Sequence, residues 1–193
     1  MKTIGMLLIL IITACSNTPK SVDNVSKGEA KPTNGASIEA KQLAAEEEAH
    51  AVAELKFQKG SSSLSADSKN KLKQLFSSVG EDQKIDELKL ITWSDEEYPS
   101  NEQAELSEGQ RILVRQRNAR IKTFIRDQRK KETDIEMVSM AERSSKLSEL
   151  WGNADARMKK SLEAAGIPNT HDKDKGTPKA SRSIVMLILE PKD

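Results

Sequence analysis

The chain has 193 residues, with 31 Lys+Arg against 30 Asp+Glu and a formal net charge of +1, so its bulk charge gives no drive toward nucleic acid or anionic membranes. Hydrophobic residues are 36% and aromatics 3%, which is lean for a globular protein, and the single cysteine excludes internal disulfides and thiolate zinc clusters. The first segment is Met1-Lys2, followed by an apolar run from Ile4 to Ile12 and then by Thr13-Ala14-Cys15. A positive start, an apolar core and small residues before a cut are the order of a secretory signal, so residues 1–14 are expected to be removed. The apolar run of about ten residues is too short for a spanning helix, which needs roughly 20.

From Ser16 to about Ser37 the chain is Asn, Thr, Pro, Lys, Ser, Gly and Ala without apolar periodicity, which predicts a disordered tether over 15–37. A flexible coil of that length spans roughly 25–30 Å. Residues 38–50, rich in Ala and Glu, predict a helical spacer. The remainder, 51–193, is long enough for one domain with its own core.

Within it, Ala51, Ala53, Leu55 and Phe57 alternate with Val52, Glu54 and Lys56, a first strand by period two. Gly60-Ser61-Ser62-Ser63 is a turn, and Ser65 caps a helix with Leu72, Leu75, Phe76 and Val79 on one face, closed by Gly80. A second strand runs from about Glu87 to Trp93, and a long helix from Ser107 to Arg129 carries Leu113, Val114, Ile121, Phe124 and Ile125 inward. Ile135 to Met140 is a third strand. Leu147, Leu150, Trp151, Ala154, Met158 and Leu162 mark a third helix, about 144–166, ended by Gly166 and Pro168. Ile184 to Leu189 is apolar on both faces and therefore a central strand. The order β-α-β-α-β-α-β predicts an α/β (α+β) domain with helices packed on a sheet of four strands.

Two resemblances add to this. Ile12-Thr13-Ala14-Cys15 resembles the lipobox of bacterial lipoproteins, which implies acylation of Cys15; the alternative is an ordinary signal with an incidental cysteine. Ser16 follows where an aspartate would signal retention at the inner membrane, so the resemblance implies the periplasmic face of the outer membrane. Several acyl chains, each buried methylene adding about 0.8 kcal/mol, would make the anchor stable.

The second covers most of 51–193. Phe57-Gln58-Lys59-Gly60-Ser61, then Leu64, Leu72 and Leu75, resembles the start of an OmpA-like domain, which implies a β-α-β-α-β-(α)-β sandwich with a mixed four-stranded sheet that grips diaminopimelate in the stem peptide of peptidoglycan. The family's Gly-His-Thr-Asp is matched by Thr92-Trp93-Ser94-Asp95. Its Leu-Ser-x-x-Arg-Ala helix has two candidate registers, on Arg111 or on Arg117. Apolar residues four and eight positions later are Ile121 and Ile125 from Arg117, but Arg115 and Ala119 from Arg111, so Arg117 is the better match. Ser181-Arg182-Ser183-Ile184 resembles the Asn-Arg-Arg-Val that opens the family's last strand, and the helix over 144–166 departs from the pattern as an insertion.

The resemblance implies that Arg117 takes the ligand carboxylate through its planar fork and Asp95 the ammonium, with Ser94, Trp93 and Arg182 in the same site. The alternative for Asp95 and Arg117 is a structural ion pair, and for Trp93 a cover over the sheet edge. The expected partners are peptidoglycan, the membrane through Cys15, and envelope proteins, but no nucleic acid. Neither a cofactor nor a metal is expected, since His50 and His171 lack ligand spacing. Asp95-Glu96-Glu97 has no catalytic partner, so no enzyme is expected. The basic residues Arg111, Arg115, Arg120, Lys122, Arg126, Arg129, Lys130 and Lys131 are either a solvated helix face or a contact for anionic glycan or lipid phosphate. A protein-interaction module that keeps the fold without wall binding, docking through the inserted helix and Trp151, is the alternative function.

Overall fold

A computed structural model of the chain describes residues 31–33, 35–96, 106–129, 133–141 and 180–191. The predicted signal 1–14, Cys15, the first part of the tether, Glu97, Lys130, Lys131, the inserted helix 144–166 with Trp151, and His171 lie outside the described residues.

The sheet is built from β2 (Ala51–Lys56), β3 (Ile85–Thr92), β4 (Asp134–Ser139) and β5 (Arg182–Leu189), with a two-residue strand β1 (Lys31–Pro32) at one edge. Its order is β1-β2-β5-β3-β4. β5 runs antiparallel to β2 and β3, whereas β3 and β4 are parallel, so the sheet is mixed and β2, β3 and β4 share one direction. The central position of β5 agrees with its apolar character, since residues 182–187 are all buried. The predicted α/β class is the one found: helices α1 (Ile38–Glu46), α2 (Ala66–Ser77) and α3 (Glu108–Arg129) pack on the mixed sheet.

Two apolar clusters lie on the two faces of the sheet. On one, Leu72 and Leu75 of α2 and Ile121 and Ile125 of α3 meet Leu55, Leu88, Leu90, Val185 and Leu187. On the other, Ala40, Leu43 and Ala44 of α1 meet Val52, Ile91, Trp93, Val138, Ile184 and Met186. Burying a Leu or Ile side chain stabilises by about 1.5–3 kcal/mol, so both layers contribute to the fold.

The second cluster corrects two expectations. α1 is a layer of the domain, not a spacer: its small and apolar residues at i, i+3 and i+4 face the sheet. The alternation in β2 accordingly does not separate core from solvent, because α1 covers Val52 and Glu54 from the other side. The tether also ends sooner than position 37. Lys31 and Pro32 pair with Ala51 and Val52, and the Thr33 N–H continues the ladder to the Val52 carbonyl at 2.9 Å.

Local sequence sets the helix ends. Ser37 and Ser65 accept the backbone N–H of Ala40 and Ser68, as N-caps do. After α1, Glu48 adopts φ +53, with Ala49 N–H on the Ala44 carbonyl and Glu48 N–H on that of Ala45, a Schellman closure. α2 stops at Ser77 with Ser78 as its C-cap, so Gly80 belongs to the following turn and does not close the helix as predicted.

Candidate functional site

The carboxyl ends of β2 and β3 and the start of β5 come together at one end of the sheet, the region where open α/β sheets place ligands. After β2, Ser61 N–H returns to the Gln58 carbonyl at 3.0 Å, and Gly60 takes φ +72 at the third position of this turn, as a type II turn requires. After β3, the Trp93 N–H bonds the Arg182 carbonyl at 2.9 Å, so pairing continues to the point where Ser94 and Asp95 turn away. The Ser94 hydroxyl bonds both the N–H and the carbonyl of Glu96 at 3.1 Å, and the Asp95 N–H donates to Gln110 Oε1 of α3 at 3.0 Å.

Asp95 and Arg117 meet here. Asp95 Oδ1 accepts from Arg117 Nη2 at 2.5 Å and from the Ser181 hydroxyl at 2.7 Å, while Oδ2 accepts the Gly60 N–H. Arg117 also donates from Nε to the Ser61 carbonyl at 3.0 Å, from Nη1 to that of Trp93 at 2.8 Å, and from Nη2 to that of Gln58 at 3.5 Å. Its guanidinium lies 4.6 Å from the centroid of the Phe57 ring. The Arg117 side chain is 0% exposed and that of Asp95 4%. Burial pushes the Asp95 carboxyl up, but hydrogen bonds from Ser181, Arg117 and Gly60 outweigh it and hold the group below the usual carboxylate value. Arg117, Ile121 and Ile125 share the buried face of α3, while Arg111 and Arg115 lie outside it.

Trp93 and Arg182 do not join that pair. Period two sends Trp93 to the side of Ile91, and Arg182 to the side of Ile184, so both point toward the α1 layer. There Arg182 lies 4.7 Å above the Trp93 ring and pairs with Glu54 at 3.2 Å. Burial pushes Glu54 up, but hydrogen bonds from Ser37 and the charge of Arg182 bring it below its ordinary value. The single predicted site is therefore two buried ion pairs on opposite faces of the sheet. Ser94 is also buried and shapes the loop through its own backbone contacts. His50 bonds the Ser78 carbonyl at 3.1 Å, a contact between elements.

Sequence reasoning missed Ser181 as a site residue. It takes φ +56 immediately before β5, its N–H bonds the Ser94 carbonyl at 2.5 Å, and its carbonyl accepts the Phe57 N–H at 2.8 Å. One residue thus joins both loops and Asp95 to the central strand. Beside the pair, Lys56, Phe57, Gln58, Ser61, Ser63, Leu64 and Ser65 line a surface groove of about 280 Å³. Comparison of the chain with protein-family models, with curated proteins and with solved structures finds no match in any of the three. Among the described residues no helix is long and apolar enough to cross a membrane.

Proposed function

We propose that this chain is a lipid-anchored protein of the outer membrane whose folded part is an OmpA-like domain. In this proposal the domain binds diaminopimelate-type peptidoglycan non-covalently at Asp95 and Arg117, tethers membrane to wall and carries out no catalysis. The observation that supports this most is the convergence of Asp95 and Arg117 to 2.5 Å at the carboxyl ends of the strands, with the Gly60 amide aimed at the same carboxylate. Diaminopimelate carries an ammonium and a carboxylate on one carbon. Such a zwitterion can enter by exchange: its carboxylate takes the Arg117 fork and its ammonium takes Asp95, so no buried charge is left unpaired. The Nη2 contact with Gln58, at 3.5 Å, is the longest of the guanidinium's bonds and the natural edge to open. The groove beside Gln58 and Ser61 offers serine hydroxyls and an apolar floor of Phe57 and Leu64 to the rest of a stem peptide.

The complete burial of Arg117 favours a second function, a protein-interaction module in which the same pair only locks three loops together. Sedimentation separates the two. The chain from residue 15 onward, carrying Cys15→Ser so that no lipid is attached, is spun with purified diaminopimelate-type sacculi, with and without free meso-diaminopimelate. Wall binding predicts that it pellets, that the free amino acid releases it, and that a folded Asp95→Asn variant stays in solution. A parent that stays in solution, or an Asp95→Asn variant that pellets equally, favours the interaction module.

A further inference from the structure

The near-zero net charge conceals a segregation across the sheet. On α2, Lys69 and Lys73 lead along one stripe to Phe76; on α3, Arg115, Lys122 and Arg126 lead along another to Arg129. The stripes meet where the Arg129 guanidinium lies 5.6 Å from the Phe76 ring. Lys69, Lys73, Arg115 and Arg126 are exposed, and Lys122 is half-buried. The acids of these helices are Asp67, paired with Lys71, Glu108, shared by Arg111 and Arg115, and Asp127. Among the described residues Lys69, Lys73, Lys122 and Arg126 have no ion-pair partner. The opposite layer has the other sign: α1 and its closing turn carry Glu39, Glu46, Glu47 and Glu48 against Lys41, with Glu47 paired to Lys89 of β3.

We propose that the α2–α3 layer is a docking surface for the phosphate headgroups of an anionic bilayer. The stripe from Arg115 to Arg129 runs about 21 Å, and a neighbouring helix adds roughly 10 Å of width, a surface suited to a plane of phosphates. The sequence supplies the reason for lipid as the anion. Only the fifteen residues 16–30 separate the lipobox-like Cys15 from β1, a length of chain that reaches at most about 50–55 Å, which keeps the layer within reach of a membrane that holds Cys15. Tethering of this kind gives an effective concentration in the millimolar range, so a contact weak in free solution becomes occupied. The choice of lipid rests on the lipid-anchored reading of Cys15, whereas the surface itself does not depend on wall binding by Asp95 or Arg117.

Flotation tests it with the unlipidated chain, from residue 15 with Cys15→Ser, and vesicles of phosphatidylglycerol and phosphatidylcholine in equal parts. The chain is expected to float with these vesicles, to be released by added salt, and to ignore vesicles of phosphatidylcholine alone. The paired change Lys73→Glu/Arg126→Glu is expected to lower the partition coefficient about twentyfold or more, and Lys41→Glu to leave it unchanged. Circular dichroism confirms folding, and Lys69→Gln/Lys122→Gln, expected to lower partition in the same direction, replaces the reversal if that variant does not fold. Absence from anionic vesicles at low salt, equal loss in Lys41→Glu, or capture by soluble polyglutamate without vesicle binding would overturn it.

Discussion

Replacing Arg117 by alanine removes one half of a buried ion pair and leaves its partners in place. The Ser61 and Trp93 carbonyls lose their 3.0 and 2.8 Å donors, and Asp95 keeps only Ser181 and Gly60. Removing one member of such a pair costs about 3–5 kcal/mol, because a charge stays buried without compensation. Typical domains have about 5–15 kcal/mol in total, so a large share of the stability is at stake. At about 2–4 °C per kcal/mol for a domain of this size, Tm should fall by roughly 6–20 °C. Urea unfolding followed by far-ultraviolet circular dichroism measures the loss directly. Arg117→Lys should recover little, since an ammonium cannot reproduce the fork across three carbonyls and a carboxylate. In a double-mutant cycle, Arg117→Ala with Asp95→Asn should cost clearly less than the sum of the two. A loss below about 1 kcal/mol for Arg117→Ala would refute the role of the pair in holding the loops.

Other predictions follow from the two layers and from the titrating groups. Leu43→Ala should cost about 2–5 kcal/mol in urea unfolding, as a core truncation does, whereas a detached spacer would lose almost nothing. Ser65→Ala should cost about 0.5–2 kcal/mol through loss of the α2 cap, read by the same assay. Asp95 and Glu54 both have folded-state values below their ordinary ones, so their contributions are complete above the unfolded values of about 3.9 and 4.3 and are lost as pH falls through the lower folded values. Glu87, raised by burial and by Glu136, acts in the opposite sense. Urea midpoints should therefore fall on the acid side, and Asp95→Asn should flatten that limb; an unchanged acid limb in the variant would contradict the assignment.

Among the described elements, the order of β2, α2, β3, α3, β4 and β5 was legible because each carried its own period. β5 was apolar on both faces, and α3 placed Ile121 and Ile125 at four and eight residues from Arg117. The role of α1 was hidden by its small residues: Ala40 and Ala44 let the helix approach the sheet closely, yet they resemble a solvated Ala-Glu segment in sequence. Once α1 is in place, Val52, Glu54 and Trp93 become interior, which the alternation of β2 alone could not reveal. The pairing of Asp95 with Arg117 was visible as chemistry, but its enclosure was not. That enclosure comes from the backbone carbonyls of Gln58, Ser61 and Trp93, which no side-chain pattern encodes. Ser181 gave one signal: it stands where the resembling motif has asparagine, a residue that tolerates positive φ.

The most direct test of wall recognition is a titration of the ¹⁵N-labelled chain, from residue 15 with Cys15→Ser, with meso-diaminopimelate, followed at the Gly60 amide and the Arg117 Nε–H. Exchange of the Asp95–Arg117 pair for the ligand's two charges predicts saturable shifts of both resonances, with Leu43 and its neighbours in α1 unmoved. If neither resonance shifts up to millimolar ligand, or if the shifts appear only away from Gly60 and Arg117, the pair is a structural lock and the proposed binding site is wrong.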